Sequence, residues 1–217
     1  MRALGVALVL LAITSACSFL PKVYEFHDPL TSQEHLALGV SYESQGETTL
    51  AIAEYKRVIE IAPGSDAVTA RVFLGNLYAG LEQFQTAEQY YREALALDSH
   101  RGQALNNLAS VYVKQGAKLG EAETLVRTAL AEAERGNSAG QQGVYLETLG
   151  EVLLEQGRYC EALENFQKAE TFNDNGKAYW LMQLYTKMAE AYERLGQTAE
   201  AQEARQRSKK LRESGGS

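Results

Sequence analysis

The chain has 217 residues, of which 45% are hydrophobic and 23% are charged, and its formal net charge is −7 at pH 7. This composition is that of a globular protein with room for one sizeable domain. The net negative charge speaks against nucleic acid as a partner, because binding to a phosphate backbone depends on clustered Lys and Arg. Only three prolines occur among abundant Ala, Leu, Glu and Gln, which favours an all-α fold.

The N-terminus has the pattern of an export signal. Arg2 precedes an uncharged apolar run over residues 3–13, which is too short to span a bilayer as a helix. The sequence TSAC at 14–17 resembles the lipobox of bacterial lipoproteins, and Ser18 resembles the next residue in lipoproteins sorted to the outer membrane. The resemblance implies a signal peptide over 1–16 and acyl chains on Cys17, which hold the protein at the outer membrane facing the periplasm. The alternative is an ordinary cleavage site with a chance cysteine.

A tether is predicted over residues 17–31, because the stretch carries two prolines and shows no helical periodicity. Its end is marked by Thr31 and Glu34, which have the spacing of a capping box. In that motif the Thr hydroxyl accepts from the backbone of the Glu, and the Glu carboxylate accepts from the backbone of the Thr. The first helix is therefore predicted to begin at Ser32.

A Leu-Gly-x-x-Tyr signature recurs along the rest of the chain. Each instance is followed by a turn and by a second pattern, in which an Ala precedes an aromatic or other large residue by four positions. The instances begin at Leu38, Leu74, Leu108, Leu149 and Met188, and the second patterns begin at Ala51, Ala87, Ala122, Ala162 and Ala201. The recurrence predicts five helical hairpins.

These residues resemble the tetratricopeptide repeat. The resemblance implies an all-α fold, a right-handed superhelix (α-solenoid) of about five hairpins over 32–213, followed by a disordered tail over 214–217. Small residues are expected to let the two helices of a hairpin approach closely, with Gly39, Gly75 and Gly150 facing Ala51, Ala87 and Ala162. Left-handed turn residues are expected at Gly46, Gly116, Gly157 and Gly196, with Glu82 in that place in the second repeat. The repeats are predicted to begin near Ser32, Val68, Gly102, Gly143 and Met182.

The later repeats are longer than the 34 residues typical of the family. The segment RGNSAGQQG at 135–143 is therefore predicted to be a longer loop, which is either a tolerated insertion or a hinge. Tyr179 and Trp180 are predicted to lie in an extended linker before the fifth repeat, as core residues or as a recognition anchor.

In this family the first helix of each hairpin lines a concave groove that binds partners. When the groove positions of the family are carried over to this sequence, the floor of the groove changes from mixed and apolar to acidic along its length. Asn76, Asn106 and Asn107 are then able to hydrogen-bond an extended peptide. The acidic stretch would attract a basic segment. The alternative for both is a solvated helix face. The predicted partner-binding residues are Leu36, Val40, Asn76, Asn106, Ser110, Glu147, Glu151 and Glu190.

No arrangement of residues with catalytic spacing is found. His27, His35 and His100 are scattered without ligand spacing, and neither a nucleophile motif nor a phosphate-binding loop occurs. Cys160 is expected to be a free thiol within a helix. The sequence therefore predicts a protein that is not an enzyme and has no metal, no cofactor and no small-molecule substrate.

The function predicted from the sequence is a protein–protein interaction scaffold, or adaptor, anchored by lipid in the bacterial cell envelope. Its partner is an envelope protein or peptide whose identity stays open. One alternative is a pilotin-like assembly factor for a type IV pilus or secretion secretin, since such lipoproteins also join a lipobox to these repeats. Another is an accessory protein of a papain-like peptidase, because the stretch around His27-Asp28-Pro29-Leu30 resembles a repeat segment attached to some of those enzymes.

Overall fold

The computed structural model describes residues 28–172 and 178–214, and in them the chain forms ten α-helices and no strand. The predicted signal peptide, Cys17 and the tether up to residue 27 lie outside the described residues, as do residues 215–217 of the predicted tail. The helices are α1 (Ser32–Ser44), α2 (Thr48–Ile61), α3 (Ser65–Gly80), α4 (Phe84–Leu97), α5 (Gly102–Gln115), α6 (Leu119–Arg135), α7 (Ala139–Glu155), α8 (Tyr159–Thr171), α9 (Ala178–Arg194) and α10 (Thr198–Ser214).

The helices form five hairpins stacked in chain order, as predicted. Each odd-numbered helix packs on the even-numbered helix that follows it and on the hairpins next to it. The backbones of the odd-numbered helices of successive hairpins also approach one another closely, whereas those of the even-numbered helices of the described chain do not. The odd-numbered helices therefore form the closer, inner layer of a curved stack, and the even-numbered helices form its outer layer.

The first helix begins where the capping pattern predicts. The Thr31 hydroxyl accepts from the Glu34 backbone N–H at 3.3 Å, and the Glu34 carboxylate accepts from the Thr31 backbone N–H at 2.8 Å. These hydrogen bonds to Thr31 lower the pKa of Glu34. The capping box thus satisfies two backbone donors that a helix N-terminus leaves open.

The turns inside the hairpins contain one residue with left-handed backbone, as predicted. In four hairpins this residue is a glycine, for example Gly116 with φ of 60°, and in the second it is Glu82 with φ of 58°. The third hairpin has one more residue between its signature and its second pattern, but its turn has three residues like the others, so the extra residue lies in α5. Lys118, the last residue of that turn, also has a positive φ of 51°, and its side chain pairs with Glu88 of the outer helix α4 at 2.7 Å.

The glycines of the repeat signature make room for an aromatic ring. A Cβ added at Gly75 would lie 2.7 Å from Cδ1 of Tyr91, a side chain that is 1% exposed. Gly39 and Gly150 lie in the same way against Tyr55 and Phe166. Each glycine therefore meets the ring of its own hairpin as its nearest neighbour, rather than the small residues Ala51, Ala87 and Ala162 that were expected to face it.

Two predicted irregular segments are helical. The prediction of a loop over 135–143 is wrong, because α6 continues to Arg135 and α7 already begins at Ala139. The linker predicted at Tyr179 and Trp180 is also wrong, since both belong to the first turn of α9. In each case the additional residues lengthen the helix to 17 residues and extend the surface buried between hairpins, where Ala133 is 3% exposed.

Candidate functional site

The inner layer contains an open hollow of about 280 Å³ between α3 and α5, which we call the inner hollow. Polar side chains from both helices line it, namely Asn76, Asn107, Ser110 and Lys114. The ring of Tyr91, from the outer helix α4, closes it from behind, and small or apolar residues complete the lining. The inner hollow therefore combines hydrogen-bonding groups with a cation on a surface that is accessible to a partner.

Hydrogen bonds fix the orientation of the Asn76 amide. Its Oδ1 accepts from the Tyr91 hydroxyl at 2.8 Å and from Asn107 Nδ2 at 2.8 Å. Burial raises the pKa of Tyr91, so its hydroxyl stays protonated and donating at neutral pH. The Nδ2 of Asn76 has no hydrogen-bond acceptor among the described residues, so it is able to donate to a ligand in the inner hollow.

The prediction that Asn106 lines the groove was wrong, since this side chain is 4% exposed. Its Nδ2 donates to Asn107 Oδ1 at 3.3 Å, so it supports Asn107 from within the stack. Asn107, which the sequence also singled out, reaches the inner hollow together with Ser110 and Lys114. These three residues share one face of α5, because their spacings of three, four and seven follow the helical period.

The groove residues predicted in the first hairpin lie on the inner helix α1. Val40 is 48% exposed, whereas Leu36 is half-buried and packs against the core of the first two hairpins. This end of the inner layer therefore offers only a small apolar surface.

The acidic end of the inner layer is less negative than the sequence indicated, because Lys187 of α9 pairs with both Glu147 and Glu151 of α7. Its Nζ lies 2.6 Å from Glu147 Oε1 and also contacts the Glu151 carboxylate. Trp180 Nε1 donates to Glu147 as well. Two carboxylates thus share one ammonium group on a half-buried surface, and a single net negative charge remains there.

Burial has opposite effects on the acid and the base of this cluster. It raises the pKa of Glu151, and the attraction of Lys187 offsets this only in part. Burial alone would lower the pKa of Lys187, but the carboxylates of Glu151 and Glu147 raise it. Lys187 therefore stays charged at neutral pH and joins α7 to α9.

The last predicted groove residue, Glu190, is exposed and pairs with Arg194 at 3.4 Å one turn further along α9. This is an ordinary surface ion pair of a helix, of small energetic value. Outside the inner layer, Cys160 is exposed on α8 and forms no disulfide with another described residue. Among the described helices none is both long and apolar enough to cross a membrane, and no group of described side chains is arranged to hold a metal ion.

The stacked hairpins define an α-solenoid with a polar hollow on its inner face. The family model described as Tetratricopeptide repeat matches residues 31–99 and 100–174, and a second model of the same description matches residues 183–214. The chain therefore belongs to the tetratricopeptide repeat family, as its repeated signature predicted.

Among similar proteins is the Type IV pilus assembly protein PilF of Pseudomonas aeruginosa, which is 30% identical over 141 residues. The match covers 65% of this chain and 53% of PilF, so the chain spans about half the length of that relative. A solved structure of PilF from Pseudomonas aeruginosa superposes with a TM-score of 0.69 at 23% identity, covering 83% of this chain and 76% of that one. BtubC from P. vanneervenii gives a TM-score of 0.72 at 18% identity, covering 85% and 80%. These likenesses between structures show the fold.

Proposed function

We propose that this protein is a non-enzymatic adaptor that holds an extended segment of a partner protein in the inner hollow. The observation that carries the proposal is the Asn76 amide in the lining of the hollow, whose oxygen is held by Tyr91 and Asn107 while its nitrogen donates to no other described group. Donors held in advance lose little freedom on binding, which favours affinity. Their complement is the row of carbonyl oxygens on an extended peptide backbone.

The charges around the inner hollow support a partner segment with a defined direction. Lys114 lines the hollow near the C-terminal end of α5, and α5 packs against α7, the helix that carries Glu151. A carboxylate of the partner would bind next to Lys114, and a basic side chain would bind beyond it, at the net negative charge around Glu151. Complementarity of this kind sets orientation and on-rate more than affinity.

Anchoring at the cell envelope is part of the same proposal and rests on the sequence before residue 28. Acyl chains on Cys17 would place the hairpins at the outer membrane, facing the periplasm. Replacement of Cys17 by Ser should then move the protein from the membrane fraction to the soluble fraction, and intact-mass measurement should show the loss of the acyl groups. An unmodified Cys17 in the native host would contradict the anchor and leave the groove proposal untouched.

The decisive variant for the groove is Asn76→Asp. The new carboxylate keeps an acceptor for Tyr91 and Asn107 but removes the outward donor and adds negative charge. With a photo-crosslinking amino acid at Ser110 in the native host, we expect a discrete crosslinked partner, and we expect Asn76→Asp to reduce its yield at least tenfold.

Asn165→Asp on the outer helix α8 is the matched control, because it makes the same chemical change where the side chain bonds only to the backbone of its own helix. Its crosslinking yield should equal that of the wild type. Equal yields for all three proteins would show that the partner does not use the inner hollow.

A second candidate is an assembly factor for a type IV pilus, which the similarity to PilF favours. In that case the partner is a component of the pilus machinery, and the process depends on this protein. Deletion of its gene should then abolish surface pili in electron micrographs, and the wild-type gene but not Asn76→Asp should restore them. Normal pili in the deletion strain would exclude this candidate and leave the general adaptor function standing.

A further inference from the structure

A second hollow lies on the other side of the stack, between the outer helices α8 and α10, with α9 as its floor. We call it the outer hollow, and its volume is about 220 Å³. Tyr185, Met188 and Tyr192 line its floor, on the face of α9 opposite to Lys187. The outer hollow is thus separate from the groove surface on which the proposed function rests.

A change in the repeat pattern places a carboxylate in this hollow. Eight residues after the Ala that begins the second pattern, the outer helix carries Ile59, Leu95 and Leu130 in the first three hairpins, and each of them packs against the core. The same position of the fourth hairpin is Glu170, which accepts a hydrogen bond from the Tyr185 hydroxyl at 2.5 Å. An apolar contact between hairpins is therefore replaced by a charged group that lines an open space.

The outer hollow already holds one cation against its aromatic floor. The guanidinium carbon of Arg207 lies 5.7 Å from the centroid of the Tyr185 ring, and Arg207 pairs with Glu203 at 2.6 Å. This contact occupies a face of the Tyr185 ring in the geometry of a cation–π interaction, so Met188 and Tyr192 remain as the floor for a ligand.

The lining nevertheless has more acid than base. Glu170, Glu200 and Glu203 are opposed by Arg207 alone, and Glu200 forms no ion pair with another described residue. A ligand that complements the outer hollow therefore needs a positive charge, and it needs an apolar stem to cover Met188 and Tyr192. The side chains of Arg and Lys have both properties.

We infer that the outer hollow is a docking site for one Arg or Lys side chain from a basic segment of a partner protein. Its alkyl stem lies on Met188 and Tyr192, and its charged end lies between Glu170 and Glu200. A volume of about 220 Å³ accommodates one long side chain but not a helix. The protein thus has an inner groove for an extended segment and an outer site for a basic residue, and it is able to contact two segments at once.

The test uses N-acetyl-arginine amide as the probe and the isotope-labelled full chain. In ¹⁵N–¹H correlation spectra we expect saturable shifts confined to α8, α9 and α10, with a Kd on the order of 1 mM for a ligand of this size. N-acetyl-glutamine amide, which has no charge, should cause no saturable shift. Shifts spread over all acidic surfaces, or none at all, would overturn the inference.

The double variant Glu170→Gln/Glu200→Gln removes two charges and keeps the acceptor for Tyr185. It should weaken binding of the probe at least fivefold. Glu190→Gln removes a charge from an exposed position on the inner helix α9 and should leave the affinity unchanged, as should Asn76→Asp. An unchanged affinity in the double variant would refute the docking site. The crosslinking test of the inner groove depends on Asn76 and Ser110 instead, so either proposal is able to fail without the other.

Discussion

At the scale of single residues, the residue at the glycine position of the signature depends on the side chain that lies opposite it on the outer helix. The repeat signature alone does not explain this dependence. Where the outer helix carries Tyr55, Tyr91 or Phe166, the signature has a glycine, and each of these glycines lies against the ring. At the same two positions the third hairpin has Ala109 and Val126, and the fifth has Ala189 and Arg205. An alanine is thus accepted only where no ring stands opposite it, because a Cβ and a close-packed ring cannot share the space.

The pairing predicts that Gly75→Ala lowers the free energy of unfolding by about 2 kcal/mol, the usual cost of overpacking a core. The ring of Tyr91 is held by its bond to Asn76 and cannot move aside without breaking it. Urea unfolding measures the effect. Gly80→Ala, at the end of the same helix with nothing within 4 Å, is the control and should stabilise the protein by about 0.5 kcal/mol.

In a Tyr91→Val background, which copies the third hairpin, the cost of Gly75→Ala should fall to nearly zero. The coupling between the two substitutions is then about 2 kcal/mol in a double-mutant cycle. Additive effects would mean that the glycine is needed for its backbone and not for the space that it leaves.

At the scale of elements, a charged residue in the turn of the third hairpin and one in the turn of the fourth bind each of these hairpins to the one before it. Glu88 on α4 accepts hydrogen bonds from Arg92, from Tyr112 of α5 and from Lys118 in the following turn. Glu123 on α6 is bound in the same way by Arg158 in the turn of the fourth hairpin. The backbones of the described outer helices are not in contact, so the layer is crossed by side chains such as these and by Arg92, which pairs with Glu121 of α6 at 2.8 Å.

The cluster around Glu88 predicts a specific sensitivity to acid. Burial alone would raise the pKa of Glu88, but the hydrogen bonds from Lys118, Tyr112 and Arg92 lower it to about 2. Because the folded value lies below the ordinary value of 4.5, the stabilisation is complete above pH 4.5 and is lost as the pH falls towards 2. Thermal unfolding followed from pH 7 to pH 2 should show this loss in the wild type.

In Glu88→Gln the stability at pH 7 should fall by about 1 kcal/mol, and the dependence on pH below 4.5 should be weaker than in the wild type. Glu164→Gln, on the exposed face of α8, should reproduce the wild-type curve. A Glu88→Gln curve parallel to the wild type would show that this carboxylate does not titrate with folding.

The elements that the sequence predicted well are those with a local signal. The capping box at Thr31 follows from the spacing of two residues, and the left-handed residue Glu82 follows from its place in the repeat; both are confirmed. The loop at 135–143 was predicted wrongly because the extra length of the repeat was assigned to the connection, whereas the extra residues lengthen the helices and leave only three residues between α6 and α7.

At the scale of the whole molecule, the sequence predicted which residues of a single helix lie on the inner layer, but not the contacts between helices that form the candidate site. The repeat position identified Asn76 and Ser110 on the inner layer, but the choice between Asn106 and Asn107 depends on how α5 is rotated against α7. The ammonium of Lys187 was missed for a similar reason, since it reaches Glu147 from a helix that begins in the next hairpin. Contacts between repeats carry no short-range pattern that a single sequence reveals.

We expect the ion pairs of Lys187 also to determine the local stability of the last hairpin. In a solenoid each repeat is stabilised by its neighbours, so the loss of one contact between hairpins should loosen the terminal repeat and leave distant repeats unaffected. Lys187→Met removes the ammonium and leaves the carboxylates of Glu147 and Glu151 together on a surface where their exposed fractions are 13% and 25%. An unpaired, partly buried charge costs about 3 kcal/mol.

We therefore expect Lys187→Met to lower hydrogen-exchange protection in α9 and α10 by roughly a hundredfold, the equivalent of about 3 kcal/mol, with α1 to α4 unchanged. Lys168→Met, an exposed lysine of α8, serves as the control and should leave protection as in the wild type. The triple variant with Glu147→Gln and Glu151→Gln should recover most of the protection, because it removes the unpaired charges. Loss of protection along the entire chain would show instead that the five hairpins unfold as one cooperative unit, in which case a partner bound at either hollow would stabilise both.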